Sequence, residues 1–320
     1  MLKIKISKTK LDVFIKNRRF LSLFYNIMEN KNLKWIFLIT LSVVWGTSLF
    51  LIKKATLSFN SYQVGALIMI FSAFILLPFG YKSLKKIKKE HIGALFIIAL
   101  FSTFIPSFMF TIAIGKVGVS VTSILNSLTP LNTLWLGFFM FGIKFSKNQV
   151  LGLLIGFGGL LVYFLTGNFY QGSGEYIYSL LVIFSSIGYA LNSNLIMTKL
   201  KNLNALSITT ATFLITLIPS IIVLFYTDFF EAYTGSSEQI SSLIYILFKA
   251  GIGTALAMVI YNKLVQISSA IFASSVTYLI PIVAFIWGYF DGEIVNRWQF
   301  IAGLLILLGV CVANKLKKNK

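Results

Sequence analysis

The stretch SVTYLIPIVAFIWGYFDGE, residues 275–293, decides the fold. It is apolar almost throughout, carries Pro281 near its middle and stops at Asp291-Gly292-Glu293. A second stretch, ILNSLTPLNTLWLGFFMFG at 124–142, has the same layout. A shift of 151 positions lays Pro130 on Pro281, Gly152 on Gly303 and Gly158 on Gly309. One pattern occurs twice, and each copy is long enough to cross a hydrocarbon core of about 30 Å.

Comparable apolar runs recur along most of the chain. Of its 320 residues 57% are hydrophobic and 12% charged, and the mean hydropathy is +0.86. A soluble domain carries about 25% charged residues. The composition therefore specifies an all-α polytopic membrane protein. The runs place ten transmembrane helices at about 35–53, 62–81, 92–114, 118–141, 150–167, 176–197, 206–226, 243–263, 269–290 and 299–316. Five fall in each copy, so the second copy enters from the opposite face, which makes two inverted five-helix repeats. The expected organisation is a basic tail over 1–34, a first repeat over 35–167, a second over 175–316 and a basic tail over 317–320. Inverted repeats are common in secondary transporters, where the site lies near the midplane between them.

The formal net charge of +19 would suggest a nucleic-acid partner in a soluble protein. Its distribution argues otherwise: with both termini cytoplasmic, 23 of the 28 Lys and Arg residues fall on the inner side, as the positive-inside rule requires. The expected location is the bacterial inner membrane, with anionic lipid as the partner of the basic tails and no nucleic acid. The oligomeric state is expected to be a monomer or a homodimer. The N-terminal tail lacks the features of a cleaved signal. Met28 offers an alternative start, since MENKNLKWIFL reads as a complete membrane-protein beginning; mass spectrometry of the mature N-terminus distinguishes the two. Cys311, the one cysteine, excludes an intrachain disulfide and is expected to act as a small buried hydrophobe.

Motifs of catalysis are missing: there is no HExxH, paired-cysteine or GxSxG pattern. Neither metal nor cofactor is expected, and His91 beside a lysine cluster is read as interfacial. Gly152 and Gly156 have GxxxG spacing, suited to close helix packing. Pro130 and Pro281 are expected to kink their helices, among Asn126, Ser127, Thr129, Asn132 and Thr133 in one copy and Thr277 and Tyr278 in the other. Polar groups around symmetry-related kinks point to a central cavity, although local back-bonding would also explain them. Trp45 to Ser48 in helix 1, Tyr189, Asn192 and Asn194 in helix 6, and Ser102, Thr103, Ser107 and Thr111 in helix 3 fit the same cavity. Trp45, Tyr163, Tyr189 and Trp287 could enclose a flat solute, or serve packing. Lys249, about six residues into helix 8, is the sharpest ionisable candidate, with snorkelling to the outer interface as the alternative. No Asp or Glu lies deep in any helix, so a buried carboxylate relay is not visible. The substrate path is thus assigned to Trp45, Thr47, Asn126, Tyr189, Asn192, Thr277 and Lys249, and Gly292-Glu293 marks an outer helix end.

These residues resemble the EamA-like branch of the drug/metabolite transporter superfamily. WGTSLFLIKKA (45–55) is similar to its helix 1 signature. The stretch 251–293, GIGTALAMVIYNKLVQISSAIFASSVTYLIPIVAFIWGYFDGE, is similar to its second-repeat segment, and WQFIAGLLILLGVCVAN (298–314) continues it. Coverage runs from about 31 to 316. The resemblance implies ten helices in two inverted repeats, alternating access and movement of small metabolites, with amino acids common among relatives. Two departures stand in the first repeat: Gly142 is followed by Ile143 where the family has glutamate, and Ile68 stands where helix 2 often carries arginine. The expected function is secondary transport, in the export direction, of small polar metabolites, amino acids or related compounds. A membrane-embedded receptor, scaffold or enzyme is the alternative.

Overall fold

A computed structural model of the chain describes residues 32–166 and 176–290 and, beyond these, positions 298, 301, 304, 305, 308, 309, 311 and 312. Every regular element among them is helical. They are α1 (Leu33–Ala55), α2 (Ser61–Gly80), α3 (Lys89–Ala99), α4 (Ile105–Asn126), α5 (Thr129–Phe141), α6 (Lys147–Thr166), α7 (Tyr176–Thr198), α8 (Ala205–Phe225), α9 (Phe229–Ala232), α10 (Ser237–Ala250), α11 (Ala257–Ile267), α12 (Ala270–Ser274) and α13 (Val276–Phe290). A 3₁₀ turn, Tyr81–Lys86, follows α2. Seven spans among the described residues are long and apolar enough to cross a membrane.

The distribution of side chains inverts that of a soluble protein. Large apolar groups such as Phe79, Phe139 and Leu165 face outward, while Ser72, Thr133, Thr216 and Ser220 are fully buried. Buried hydroxyls in these helices bond back to the preceding turn: Thr209 donates to Ala205 O, Thr212 to Ile208 O and Ser220 to Thr216 O, at 2.7–2.8 Å. Each hydroxyl is thereby satisfied without water, as the bilayer demands. This chain is a multi-pass membrane protein.

Small residues set the helix crossings. Gly80 of α2 leaves no room for a Cβ against Thr210 of α8, and Gly188 of α7 none against the Phe101 carbonyl. Gly309 packs onto the backbone of Gly156 and the Gly152 carbonyl of α6, with 2.5 Å between Gly156 N and where its Cβ would stand. The GxxxG pair therefore packs against another glycine, as the spacing suggests.

Helix boundaries differ from the sequence reading at three places. The break between the third and fourth expected helices is a single residue, Gly118, at φ 81°, a conformation that favours glycine. Pro130 does not kink a helix: α4 ends at Asn126 and Pro130 stands in the first turn of α5, where its missing N–H is no loss. Pro281 does lie inside its helix, α13. The eighth expected helix begins at Ser237 rather than 243, because the Ser236 hydroxyl caps Gln239 N. Cys311 is exposed rather than buried; an apolar thiol sits well on a surface bathed in lipid.

Two spans are widened midway. Leu100–Phe104, between α3 and α4, and Gly251–Leu256, between α10 and α11, are π-helical turns. Ile105 N donates to Leu100 O, and Ala257 N to Ile252 O, five residues back in each case. The turns start 151 positions apart, the same spacing that relates Pro130 to Pro281. Such turns often mark functional sites.

Candidate functional site in the bundle centre

A cavity of about 130 Å³ lies between the two widened turns. Trp45, Ser48 and Ile52 of α1 and Tyr189 and Asn192 of α7 reach it from opposite halves of the chain. Ser102 and Thr103 come from the first π-turn, Gly253 and Thr254 from the second. Asn126 ends α4, and Thr277 begins α13; both line the wall, and they too are 151 positions apart. Lys249 contributes the charge. Ile68, Met69, Phe213 and Ile280 supply apolar surface.

Of the seven path residues expected from sequence, six meet here: Trp45, Asn126, Tyr189, Asn192, Thr277 and Lys249. Ser102, Thr103, Ser107 and Thr111 join them. Thr47 does not. Its Oγ1 accepts a bond from Trp287 Nε1 at 3.0 Å, and Trp287 stacks on Phe50 with centroids 5.2 Å apart. Both side chains therefore serve the α1–α13 contact. Asn132 and Asn194 are likewise helix fasteners: Asn132 Nδ2 donates to Ser186 Oγ at 2.7 Å and Asn194 Nδ2 to Thr133 O at 3.0 Å, joining α5 to α7. His91 caps the start of α3, its Nδ1 accepting from Lys88 N at 3.2 Å. Gly292, Glu293, Arg297, Gly303, the Tyr163 side chain and the tail 1–31 lie outside the described residues.

Lys249 is much deeper than expected, because its helix starts six residues earlier. Twelve residues separate it from Ser237, or about 18 Å at 1.5 Å per residue. Its Nζ turns along the helix to Gly253 O at 3.3 Å, and the side chain is partly buried. Trp45 Nε1 donates to the same carbonyl at 3.1 Å. No carboxylate lies within 4.0 Å of Lys249 among the described residues. The ammonium thus faces the cavity instead of snorkelling out.

The proline in α13 has a partner from across the bundle. Its missing amide would have served Thr277 O in a regular helix. Instead the Ser127 hydroxyl, at the end of α4, stands 2.7 Å from that oxygen, with its own Ser123 O at 3.0 Å. At the equivalent place in the other copy, Thr129 Oγ1 donates to Asn126 O at 2.6 Å.

Among the described residues, three wall oxygens are buried and without partners: Thr103 Oγ1, Thr254 Oγ1 and Asn192 Oδ1. Buried polar atoms in a native structure are nearly always paired. Thr254 and Tyr261, both in the wall, escaped the sequence reading. The signal that could have found them is the 151-residue shift, which carries Thr103 to Thr254 and Phe110 to Tyr261.

A helical bundle with a cavity between its two halves is an arrangement found in many membrane carriers. The model of the EamA-like transporter family matches residues 33–165 and again 176–315. The chain belongs to this family, within the drug/metabolite transporter superfamily. It is 24% identical over 301 residues to a WAT1-related protein of Arabidopsis thaliana described as chloroplastic, an alignment covering 89% of this chain and 70% of that protein. A solved crystal structure superposes with a TM-score of 0.67 at 16% identity, covering 89% of this chain and 97% of the other, so the fold is shared.

Proposed function

We propose that this transporter moves small polar metabolites, amino acids or related compounds, by alternating access, and that it works as an exporter in the bacterial inner membrane. In this reading the chain folds as ten transmembrane helices in two inverted repeats, 35–167 and 175–316, with both termini cytoplasmic. The substrate path runs past Trp45, Asn126, Tyr189, Asn192, Thr277 and Lys249. The observation that carries it is the cavity between the halves, whose wall draws equivalent positions from both. A site so placed is the part of an inverted-repeat carrier that must be reached from each side in turn. The matching π-turns support the repeat, and the one-sided basic residues support the orientation. Anionic lipid is the partner of the basic tails, nucleic acid has no role, and the working unit is a monomer or a homodimer.

Reconstitution in liposomes loaded with a mixture of amino acids and small organic acids tests the proposal. Saturable release of particular solutes above protein-free vesicles is the expected result. Identical leakage of every solute, with and without protein, overturns it.

A further inference from the structure

Resting on the transporter reading, the unpaired groups of the cavity identify what kind of solute fits. Lys249 is the one charged side chain in its wall, and no acid lines it among the described residues. An ammonium has three N–H donors, and Lys249 places one on Gly253 O at a long 3.3 Å. The remaining donors meet no acceptor among the described residues. An uncompensated cation far from either interface is costly in a membrane; an anionic ligand would remove that cost when it binds.

The second observation is independent of charge. Asn192 is 1% exposed and Thr103 and Thr254 are each 7% exposed, yet Asn192 Oδ1 and both threonine hydroxyls lack partners. Most threonines elsewhere in these helices bond to a carbonyl three or four residues back, as Thr216 does to Phe213 O at 3.0 Å and Thr122 to Gly118 O at 2.7 Å, although Thr210 does not. In the widened turns that bond is absent, which leaves both hydroxyls free for a ligand. An amide oxygen can only accept, so a ligand N–H or O–H would satisfy Asn192 Oδ1. The volume sets the size: about 130 Å³ is slightly less than the ~150 Å³ cavity that holds benzene, which limits a ligand to roughly six to eight non-hydrogen atoms.

We infer that the cavity selects small monocarboxylates that carry a hydrogen-bond donor, with the carboxylate on Lys249 and the donor on Asn192 Oδ1. The threonine hydroxyls of the two π-turns take remaining polar atoms, and the body of the ligand lies against the apolar wall. A small amine without a carboxylate fits poorly, because it brings a second positive charge beside Lys249.

Calorimetric titration of the detergent-purified full chain with four probes of one shape tests this. Valine and 2-hydroxy-3-methylbutanoate have carboxylate and donor, 3-methylbutanoate has carboxylate only, and valinol has donors only. The first two should bind; 3-methylbutanoate should bind about tenfold more weakly, and valinol at least about a hundredfold more weakly. Lys249→Met should abolish binding of the acids, whereas Lys249→Arg should hold them within about tenfold. Asn192→Leu should erase the gap between 2-hydroxy-3-methylbutanoate and 3-methylbutanoate. Melting temperatures of the variants establish that they are folded, and Lys249→Arg carries the test if Lys249→Met is not. The inference is overturned if valinol binds as tightly as valine, if folded Lys249→Met binds the acids unchanged, or if neither donor-bearing acid binds. The liposome assay separates the two readings: flux indifferent to a carboxylate defeats the inference alone, and acid binding without flux of any solute defeats the transporter mechanism alone.

Discussion

The two π-turns occupy equivalent positions and are finished differently. The first, Leu100–Phe104, presses against Gly188 of α7, and Ser102 Oγ donates to Gly188 O at 2.5 Å. The second, Gly251–Leu256, presses against Ser48 of α1, and Trp45 Nε1 donates to Gly253 O. Each turn is thus covered by the opening helix of the opposite half. The aromatic pairs follow the same exchange: Trp45 lies 5.2 Å from Tyr261, and Tyr189 lies 5.7 Å from Phe110. Charge does not follow it. Lys249, four residues before Gly253, corresponds to Ile98, which is 1% exposed in an apolar cluster. The lesson is that scaffold and chemistry are separable here: packing is duplicated across the halves, and the one charged side chain that lines the cavity among the described residues belongs to one half.

Proline does not explain the widening. Pro106 follows the first turn, but the equivalent position after the second is Ala257. What the two turns share is the close approach of the opposite half's opening helix.

The largest effect should come from breaking that approach. Gly188→Leu forces a side chain into the Phe101 carbonyl and should destabilise by about 3 kcal/mol or more, whereas Gly93→Ala, with nothing within 4 Å of its Cβ position, should be neutral or stabilise by up to about 1 kcal/mol. Unfolding followed by size-exclusion melting checks both; equal effects would show that the crossing is not tight. A middling effect tests the bond across the halves. Ser127→Ala should cost about 1–3 kcal/mol by leaving Thr277 O short of a donor, and the cost should shrink in a Pro281→Ala background, where a backbone amide is restored. A double-mutant cycle reads the coupling, and strict additivity would sink the assignment. The smallest effect on stability is expected from Thr103→Val and Thr254→Val. Each replaces an unpartnered hydroxyl by a methyl of the same shape, so stability should change by no more than about 0.5 kcal/mol in either direction. Each should nonetheless reduce solute flux in liposomes, by about two- to tenfold; unequal losses would locate the ligand closer to one turn, and no loss in either would remove both from the path.

Much of this was legible in the chain. The apolar runs specified a multi-pass helical protein, and the WGTS and Pro-centred stretches specified the family, because a bilayer leaves few options for satisfying a backbone. Six of the seven residues expected along the path line the cavity and were legible as polar or aromatic groups in apolar runs, although the same signal also marks helix fasteners such as Asn132 and Asn194. Thr47 was misplaced because sequence does not tell which side of a helix meets a neighbour when hydrophobicity surrounds it; its hydroxyl went to Trp287 instead. Lys249 reads as nearer the surface than it is because a polar first turn, SEQISS, hides a helix start that Ser236 caps. Pro130 reads as a kink in the sequence because a break at Ser127-Leu128 has no glycine to announce it.

What sequence by itself determined is the class, the doubled pattern and the residue types available to a site. Those follow from hydropathy and spacing, which act locally. What only the tertiary structure decided is which of those groups face one another. The Ser127 hydroxyl meets a carbonyl 150 positions away, and three unpaired oxygens and one lysine surround one cavity. Such pairings depend on helix rotation and crossing, set by small residues such as Gly188 and Gly253 packing against the other half, and no local pattern carries that information.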